Sequence, residues 1–448
     1  MALRLIYTWL IRFAVPFAFA GVLWRGLGDR SYWQGLGERF GRVRPRHSPG
    51  IWLHAVSLGE MSAAAPLVRA LHARYPQLPL VLTTATPAGR ARAQALFAAL
   101  ADVHFLPYDT PGSVSRFLER TRPCIAIIME TELWPNLFRE CQRRAIPVVL
   151  ASARLSARSV SRYRRFGALF SGLFRNVTVA AQSAEDAERF QSIGAAVDRT
   201  RAIGNVKFDL AVDAGLLATG EVLRAAYGGR PAWVAGSTHA GEEEQLLEAH
   251  ALLQKHRPDA LLLLAPRHRD RFAAVADLLA RRGITFARRS TSAMLPVAAA
   301  LLPAGAAVLL VDTLGELAAL YASADVAFVG GSLVPIGGHN LLEPAALGLP
   351  VLTGPSHENG KDIARLLLRQ GAAIEVSHAH ELAALLLRLF DDPTERRRIG
   401  AIGKEIVESN RGSVERLLAL IEPLIIEPLL PAAHPPAAAV QAYPSRER

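Results

Sequence analysis

Short apolar runs alternate with longer amphipathic stretches through most of this chain. Ile51–Ser57, Leu80–Ala85, Val103–Tyr108, Cys124–Met129, Val148–Ala151 and Val177–Ala181 read as strands, with helical patterns such as Met61–Arg74 and Ala88–Leu100 between them. Continuous apolar runs suit a parallel sheet covered on both faces, and the strand–helix–strand rhythm predicts such a sheet. The rhythm restarts after Asp209–Gly229 with Trp233–Gly236, Ala260–Ala265, Ala307–Val311, Asp325–Gly330 and Pro350–Thr353. The predicted class is therefore α/β, with two Rossmann-like doubly wound halves and a linker near residues 205–230. Ahead of them, Leu5–Trp24 is a twenty-residue apolar stretch with one charge, Arg12, about the length that crosses a bilayer as a helix. From Glu422 the chain turns rich in proline and alanine and loses apolar periodicity, which predicts a disordered tail. The expected organisation is an anchor helix at 1–28, domains at 29–212 and 213–421, and a tail at 422–448. No internal repeat is visible.

Charge and composition narrow the function. The chain has 51 basic and 40 acidic residues, a formal net charge of +11, and only four lysines, so its cation is arginine. Arginine presents a planar fork to carboxylates and phosphates, although a GC-rich genome gives the same bias without function. Arg25, Arg30, Arg39, Arg42, Arg44 and Arg46 follow the apolar segment against Asp29 and Glu38, so the positive-inside rule puts the body in the cytoplasm. An amphipathic or buried helix is the alternative to a spanning one, because Arg12 and Pro16 interrupt the segment. Cys124 and Cys141 are the two cysteines; with no CxxC they exclude a disulfide scaffold and a zinc finger. No Asp-x-Asp, HExxH or GxSxG occurs, and Gly354–Lys361 fails as a phosphate loop by spacing. Most of the thirteen histidines read as surface residues.

Doubly wound sheets bind ligands at the carboxyl ends of their strands, so the loops there hold the candidates. Ser57-Leu58-Gly59-Glu60 leads from the first strand into a helix. Glu60 either complements the helix dipole or acts as a base. Glu130 and Glu132 follow the fourth strand, on one face if the chain stays extended. In the second half, Arg267 and His268 follow a strand and suit an anion. Gly330-Gly331-Ser332-Leu333-Val334-Pro335-Ile336-Gly337-Gly338-His339-Asn340-Leu341-Leu342-Glu343 leads toward a helix expected to begin near His339 or Asn340. Its N–H groups would receive an anion and Glu343 would accept from ribose hydroxyls. Arg154, Arg158, Arg162 and Arg165 fall on one helical face, followed by Phe166, Leu169, Phe170, Leu173 and Phe174. That composition reads as a membrane-surface element or a dock for an anionic lipid, with a solvated helix face and nucleic acid as the competing readings.

These motifs, HAVSLGE (54–60), METELWPN (129–136), GNVKFD (204–209), PRH (266–268) and GGSLVPIGGHNLLEPA from Gly330, resemble the 3-deoxy-D-manno-octulosonic acid (Kdo) transferase family of lipopolysaccharide core synthesis. The resemblance runs to about residue 420. It implies a glycosyltransferase-B fold of two domains facing a cleft, acceptor-binding first and CMP-sugar-binding second, with no metal and no cofactor beyond the donor CMP-Kdo. It implies lipid IV-A, the bis-phosphorylated lipid A precursor, as acceptor, and attachment to inner-membrane lipids by a single N-terminal anchor with the body on the cytoplasmic side. No nucleic acid and no obligatory protein partner are expected. By the same resemblance Glu60 is the catalytic base, and Glu130 and Lys207 support the transition state. Arg267, His268, Leu314, Gly315, Glu316, Asn340, Leu341, Leu342 and Glu343 form the CMP-sugar site. Leu314 departs from the family's frequent methionine, which touches only a backbone-type contact. Competing classes are a glycosyltransferase-B enzyme using a UDP-sugar and a membrane-anchored nucleotide-binding scaffold.

Overall fold

The computed structural model describes residues 2–165, 167–170, 172–210, 212, 214–292 and 305–429. The chain divides into two compact units, one formed by residues up to Asn205 together with those from Val414 on, the other by Val206–Ser413. Each is built on a seven-stranded, all-parallel sheet.

In the first unit the strands are β1 (Gly50–His54), β2 (Leu80–Thr84), β3 (Ala101–Phe105), β4 (Pro123–Met129), β5 (Val148–Ala153), β6 (Val177–Ala181) and β7 (Thr200–Ala202), ordered 3-2-1-4-5-6-7. The chain winds outward from β1 in one direction and from β4 in the other. The order therefore switches between β1 and β4, where a doubly wound sheet opens its ligand crevice. The central strands are buried on both faces. Trp52, Ala126, Ile128, Val148 and Leu150 pack on one side with Phe117 and Phe138, which is why these strands read as unbroken apolar runs.

The second unit repeats the plan with β8 (Ala232–Thr238), β9 (Leu261–Pro266), β10 (Phe286–Arg288), β11 (Val308–Leu310), β12 (Val326–Val329), β13 (Val351–Thr353) and β14 (Ala373–Glu375). Their order is 10-11-9-8-12-13-14, so the switch lies between β8 and β12. Trp233, Leu262, Leu264 and Phe328 anchor its main core.

Several expectations change. β7, β10 and β14 were absent from the predicted strands. Each is a three-residue piece far out in its sheet, with little apolar content to mark it. β1 stops at His54 because Ser57 is needed to cap a helix. The stretch expected as a linker holds the helix Ala214–Ala226, whose Gly220 lies so close to Ala322 that a Cβ would meet it at 2.5 Å. The units divide after Asn205 rather than after residue 212. The helix Ser413–Leu429 takes residues 422–429 out of the expected disordered tail, and the rest of that tail lies outside the described residues. This helix belongs to the first unit: Arg74 pairs with Glu415 and Glu422 at 3.2 and 2.9 Å, and Arg416 donates to the Ile203 carbonyl at 2.8 Å.

The N-terminal segment is a helix, Ala2–Gly28, and Leu5–Gly28 is long and apolar enough to cross a membrane by length and composition. It packs on the first unit along one stripe only.

Two histidines are core residues. His54 beside Thr83 and His250 between Trp233 and the Ala307 carbonyl are both buried, and burial pushes each imidazole down to about 4. An unfolded histidine titrates near 6.5, so acid protonates the unfolded chain first. Stability present above about pH 6.5 is therefore lost as the pH falls toward 4. Urea midpoints across that window are expected to drop, and to drop less steeply in a His250→Gln variant. Parallel curves for the two proteins would contradict the assignment.

Candidate active site

At the β1/β4 switch the first unit places two carboxylates. Beyond β1, Ser57 is extended and its Oγ accepts the Glu60 N–H at 3.3 Å, capping the helix Leu58–Ala63. The half-buried Glu60 carboxylate turns back and accepts the Val56 N–H at 2.9 Å. Ser57 and Glu60 thus form a variant of the capping box, and the bond that satisfies the backbone also fixes the carboxylate's direction.

Glu130 leaves β4 with φ 52°, in the left-handed region, and its N–H is held by the Ala151 carbonyl at 2.9 Å. A side chain rarely adopts this backbone, and holding it costs about 1–3 kcal/mol. The kink ends the extended geometry, so Glu130 and Glu132 do not share a strand face as expected. Glu130 pairs with Arg154 Nε at 3.5 Å. Burial pushes the Glu132 carboxyl up, and the neighbouring Glu130 charge adds to it. Arg154 precedes the helix Ala157–Arg165, so it is not part of the arginine face: Arg158, Arg162 and Arg165 are exposed there, opposite buried Val160. Phe166 lies outside the described residues. Next door, Ser152 sits at φ 52° in a bulge of β5, and its carbonyl accepts from Gln182 Nε2 at 2.9 Å. Asn205 Nδ2 donates to Gln182 Oε1 at 3.1 Å. This ties the head of the GNVKFD segment to the carboxyl ends of β5 and β6.

The second unit is organised by a residue the sequence reading passed over. Glu242, fully buried just beyond β8, accepts four backbone N–H groups: Gly331 at 2.8, His239 at 3.3, Ser332 at 3.1 and Leu333 at 3.0 Å. Burial pushes its carboxyl above the ordinary range against the pull of those four donors. The clamp explains the glycines. A Cβ on Gly330 would stand 2.7 Å from both the Glu242 carboxylate and the Ser237 carbonyl, and Gly331 needs φ 70°. Ser237 has φ 58° in a bulge at the end of β8.

Around this clamp lie the candidate donor-site residues. The Arg267 N–H bonds to the Thr238 carbonyl at 3.0 Å, placing Arg267 next to the end of β8. The His268 ring meets His239 edge-on at 5.4 Å, and His239 stacks on His339 with their Nε2 atoms 2.8 Å apart. Burial, followed by the Arg267 charge, pushes His339 down to about 4; burial also lowers His239. Both rings are thus neutral hydrogen-bonding groups near the Arg267 charge. Lys207 lies in the turn Val206–Phe208, whose buried Phe208 packs with Val329, Leu341 and Leu342. Glu316 accepts from Arg289 at 2.8 Å and from the Thr313 hydroxyl. Leu314 is exposed and Gly315 has φ 90°. Arg269, Phe272, Asp312, Thr313 and Leu314 line an open depression.

The helix after the glycine loop begins at Leu342, not at His339 or Asn340, and has five residues. Asn340 Oδ1 takes the Leu342 N–H at 3.1 Å and Asn340 Nδ2 donates to Glu343 at 3.1 Å. The expected row of free helix N–H groups is therefore partly used by Asn340. This short helix contacts the helix Leu317–Ala322, which Glu316 begins, so the two candidate segments meet. Among the described residues no group of three or more His, Cys, Asp and Glu is placed to hold a metal ion. Four histidines stand apart from the surface placement expected of most: His54 and His250 are buried, and His239 and His339 are stacked within the site. The acid run Glu242-Glu243-Glu244 at the end of β8 was the available signal.

Two doubly wound parallel domains of this kind define the glycosyltransferase-B class. One solved structure with a similar fold is a putative UDP-N-acetylglucosamine 2-epimerase from Listeria monocytogenes, at TM-score 0.53 and 15% identity, covering 85% of this chain and 98% of the other; it speaks to the fold alone. The family model "3-Deoxy-D-manno-octulosonic-acid transferase (kdotransferase)" matches residues 34–210, and "Glycosyl transferases group 1" matches 237–406. The 3-deoxy-D-manno-octulosonic acid transferase of Haemophilus influenzae is 40% identical over 94% of this chain and 99% of its own; that of Bordetella pertussis is 37% identical over 94% and 99%. The chain belongs to the Kdo transferase family and is a glycosyltransferase.

The clamp makes a local prediction. Glu242→Gln replaces an acceptor of four N–H groups by one facing them with an N–H₂, at a cost of about 1–3 kcal/mol. Amides of Gly331, Ser332 and Leu333 should exchange with solvent roughly tenfold to a hundredfold faster, while those of β1 keep their protection. Unchanged exchange would mean the carboxylate does not hold the loop.

Proposed function

We propose that this Kdo transferase moves Kdo from CMP-Kdo to lipid IV-A at the cytoplasmic face of the inner membrane, without a metal ion and with Glu60 as general base. The reading rests most on the Glu60 carboxylate, half-buried at the carboxyl end of β1 and aimed by the Val56 N–H. The acceptor hydroxyl attacks the anomeric carbon of Kdo, its proton passes to Glu60, and the bond to the CMP phosphate breaks. Glu130, strained into its position, and Lys207 support the charge that develops. Arg267 meets the leaving phosphate, with His268 beside it. Leu314, Gly315 and Glu316 serve the nucleotide, and Asn340, Leu341, Leu342 and Glu343 present the short helix start and a carboxylate to the sugar. The membrane reading draws on the apolar N-terminal helix; neither nucleic acid nor a protein partner has a part in it.

Glu60→Gln separates catalysis from structure, because glutamine Oε1 can keep the bond from Val56. The variant should fold and bind CMP-Kdo by calorimetry as the parent does, yet transfer Kdo about 10²–10⁴-fold more slowly. A rate within a few fold of the parent would remove Glu60 as base. Arg267→Ala should weaken CMP binding by about tenfold or more, the worth of a charged hydrogen bond, and a chelator should leave the parent rate unchanged. Unaltered CMP affinity, or loss of activity to the chelator, would contradict the respective assignment.

A further inference from the structure

The N-terminal helix is tied to the first unit along its length. Near its start, the Tyr7 hydroxyl donates to the Asp109 carboxylate at 2.8 Å and the Thr8 hydroxyl to Asn136 at 2.9 Å. Asp109 is itself buried and accepts the N–H groups of Asn136 and Leu137 at 3.1 and 2.7 Å. These partners belong to the folded body. Toward the helix end, Phe19 meets Phe40 edge-on at 5.1 Å, Val22 is buried, and the Leu23 carbonyl accepts from Trp33 at 3.0 Å. The covered or buried positions 7, 8, 11, 15, 19, 21, 22 and 26 trace one stripe.

Tyr7 and Gly26 are roughly 28 Å apart along a helix axis, about the thickness of the hydrocarbon core. In a spanning helix Tyr7 would reach the far side of the bilayer, where Asp109 and Asn136 cannot follow without pulling the body apart. The rest of the helix is apolar and exposed: Trp9 (66%), Leu10, Phe13 (71%), Phe17 (65%), Trp24 (74%) and Leu27. Arg12 is also exposed, its guanidinium 5.2 Å from the Trp9 ring. At an interface such a pair keeps the charge at headgroup level; mid-core it would be costly. The helix Gly167–Phe170 touches the N-terminal helix and also the helix Ala157–Arg165, where Arg158, Arg162, Arg164 and Arg165 are exposed. Residues 151–175 contain no acid.

We propose that the N-terminal helix lies in the plane of an anionic bilayer, its exposed apolar face in the acyl–headgroup boundary and the nearby arginines on the headgroups, rather than crossing the membrane. The inference rests on the membrane reading above and deepens it. An in-plane helix docked to the body holds the first unit at a set depth and tilt, whereas a spanning tether would let it swing. Indole and phenyl rings beside arginine suit that boundary, and anionic lipid supplies counter-charges to the arginines.

The test uses the full chain with a protease-cleavable tag ahead of Met1, in sealed inside-out inner-membrane vesicles from cells that express it. An in-plane helix leaves the tag on the body's side, so added protease removes it without detergent. A tag protected until detergent opens the vesicles shows a spanning helix and overturns the inference while leaving membrane attachment intact. A chain missing from the membrane fraction overturns both. As a second arm, Arg158→Gln/Arg162→Gln/Arg165→Gln should bind vesicles of phosphatidylglycerol and phosphatidylethanolamine roughly tenfold or more weakly than the parent at low salt. Equal binding would remove the arginines from the contact.

Discussion

One buried carboxylate organises the second unit. Glu242 has no exposed surface and holds four backbone N–H groups, three of them from consecutive residues of one loop. Backbone donors in a buried turn must be paired or the fold loses their hydration energy. The carboxylate pairs them from just beyond β8, the strand on the other side of the switch point, and so fixes the path of the chain leaving β12. Gly330, Gly331, the left-handed Ser237 and the placement of His339 follow from that arrangement. Bonds within the protein itself fix residues 331–333 of the loop that runs on to Asn340 and Glu343. A preorganised site does not spend binding energy on ordering itself.

The first unit solves the same problem by a different device. Glu60 satisfies a backbone N–H ahead of its own helix, and Glu130 is bent out of β4 by a left-handed residue. In both units the departures from regular geometry, including the bulges at Ser152 and Ser237, gather at the carboxyl ends of strands. Among the described residues five non-glycines are left-handed: Arg122 and Ala145 simply follow helices, while Glu130, Ser152 and Ser237 lie at strand carboxyl ends, where strain marks a working surface.

Much of this was legible in the sequence. The central strands are buried on both faces, so Ile125–Met129 and Leu261–Ala265 could hardly be anything but parallel strands, and the loops after them held Glu60, Glu130, Arg267 and the glycine run. What the sequence hid was hidden for physical reasons. β7, β10 and β14 lie far out in their sheets and carry residues such as Arg201, Arg288 and Glu375 that break the apolar signal. Glu242 looks like one more acid in a helix-starting run, because its value comes from backbone donors 89 to 91 residues away. Tyr7 and Thr8 look like polar interruptions in an anchor, and only tertiary structure gives them Asp109 and Asn136 as partners. Glu130 and Glu132 were expected on one face because local pattern cannot report a single residue at positive φ.

Kdo transfer between a CMP-activated donor and a phosphorylated lipid acceptor is the claim on which the roles of these residues depend. The direct measurement is incubation of the full chain with CMP-Kdo and lipid IV-A in detergent, with the lipid product weighed by mass spectrometry and CMP release followed in parallel. The account predicts lipid IV-A heavier by one or more Kdo residues, formed in step with CMP, and inhibition by added CMP but not by UDP. An unmodified lipid, or transfer from a UDP-sugar instead, would contradict it.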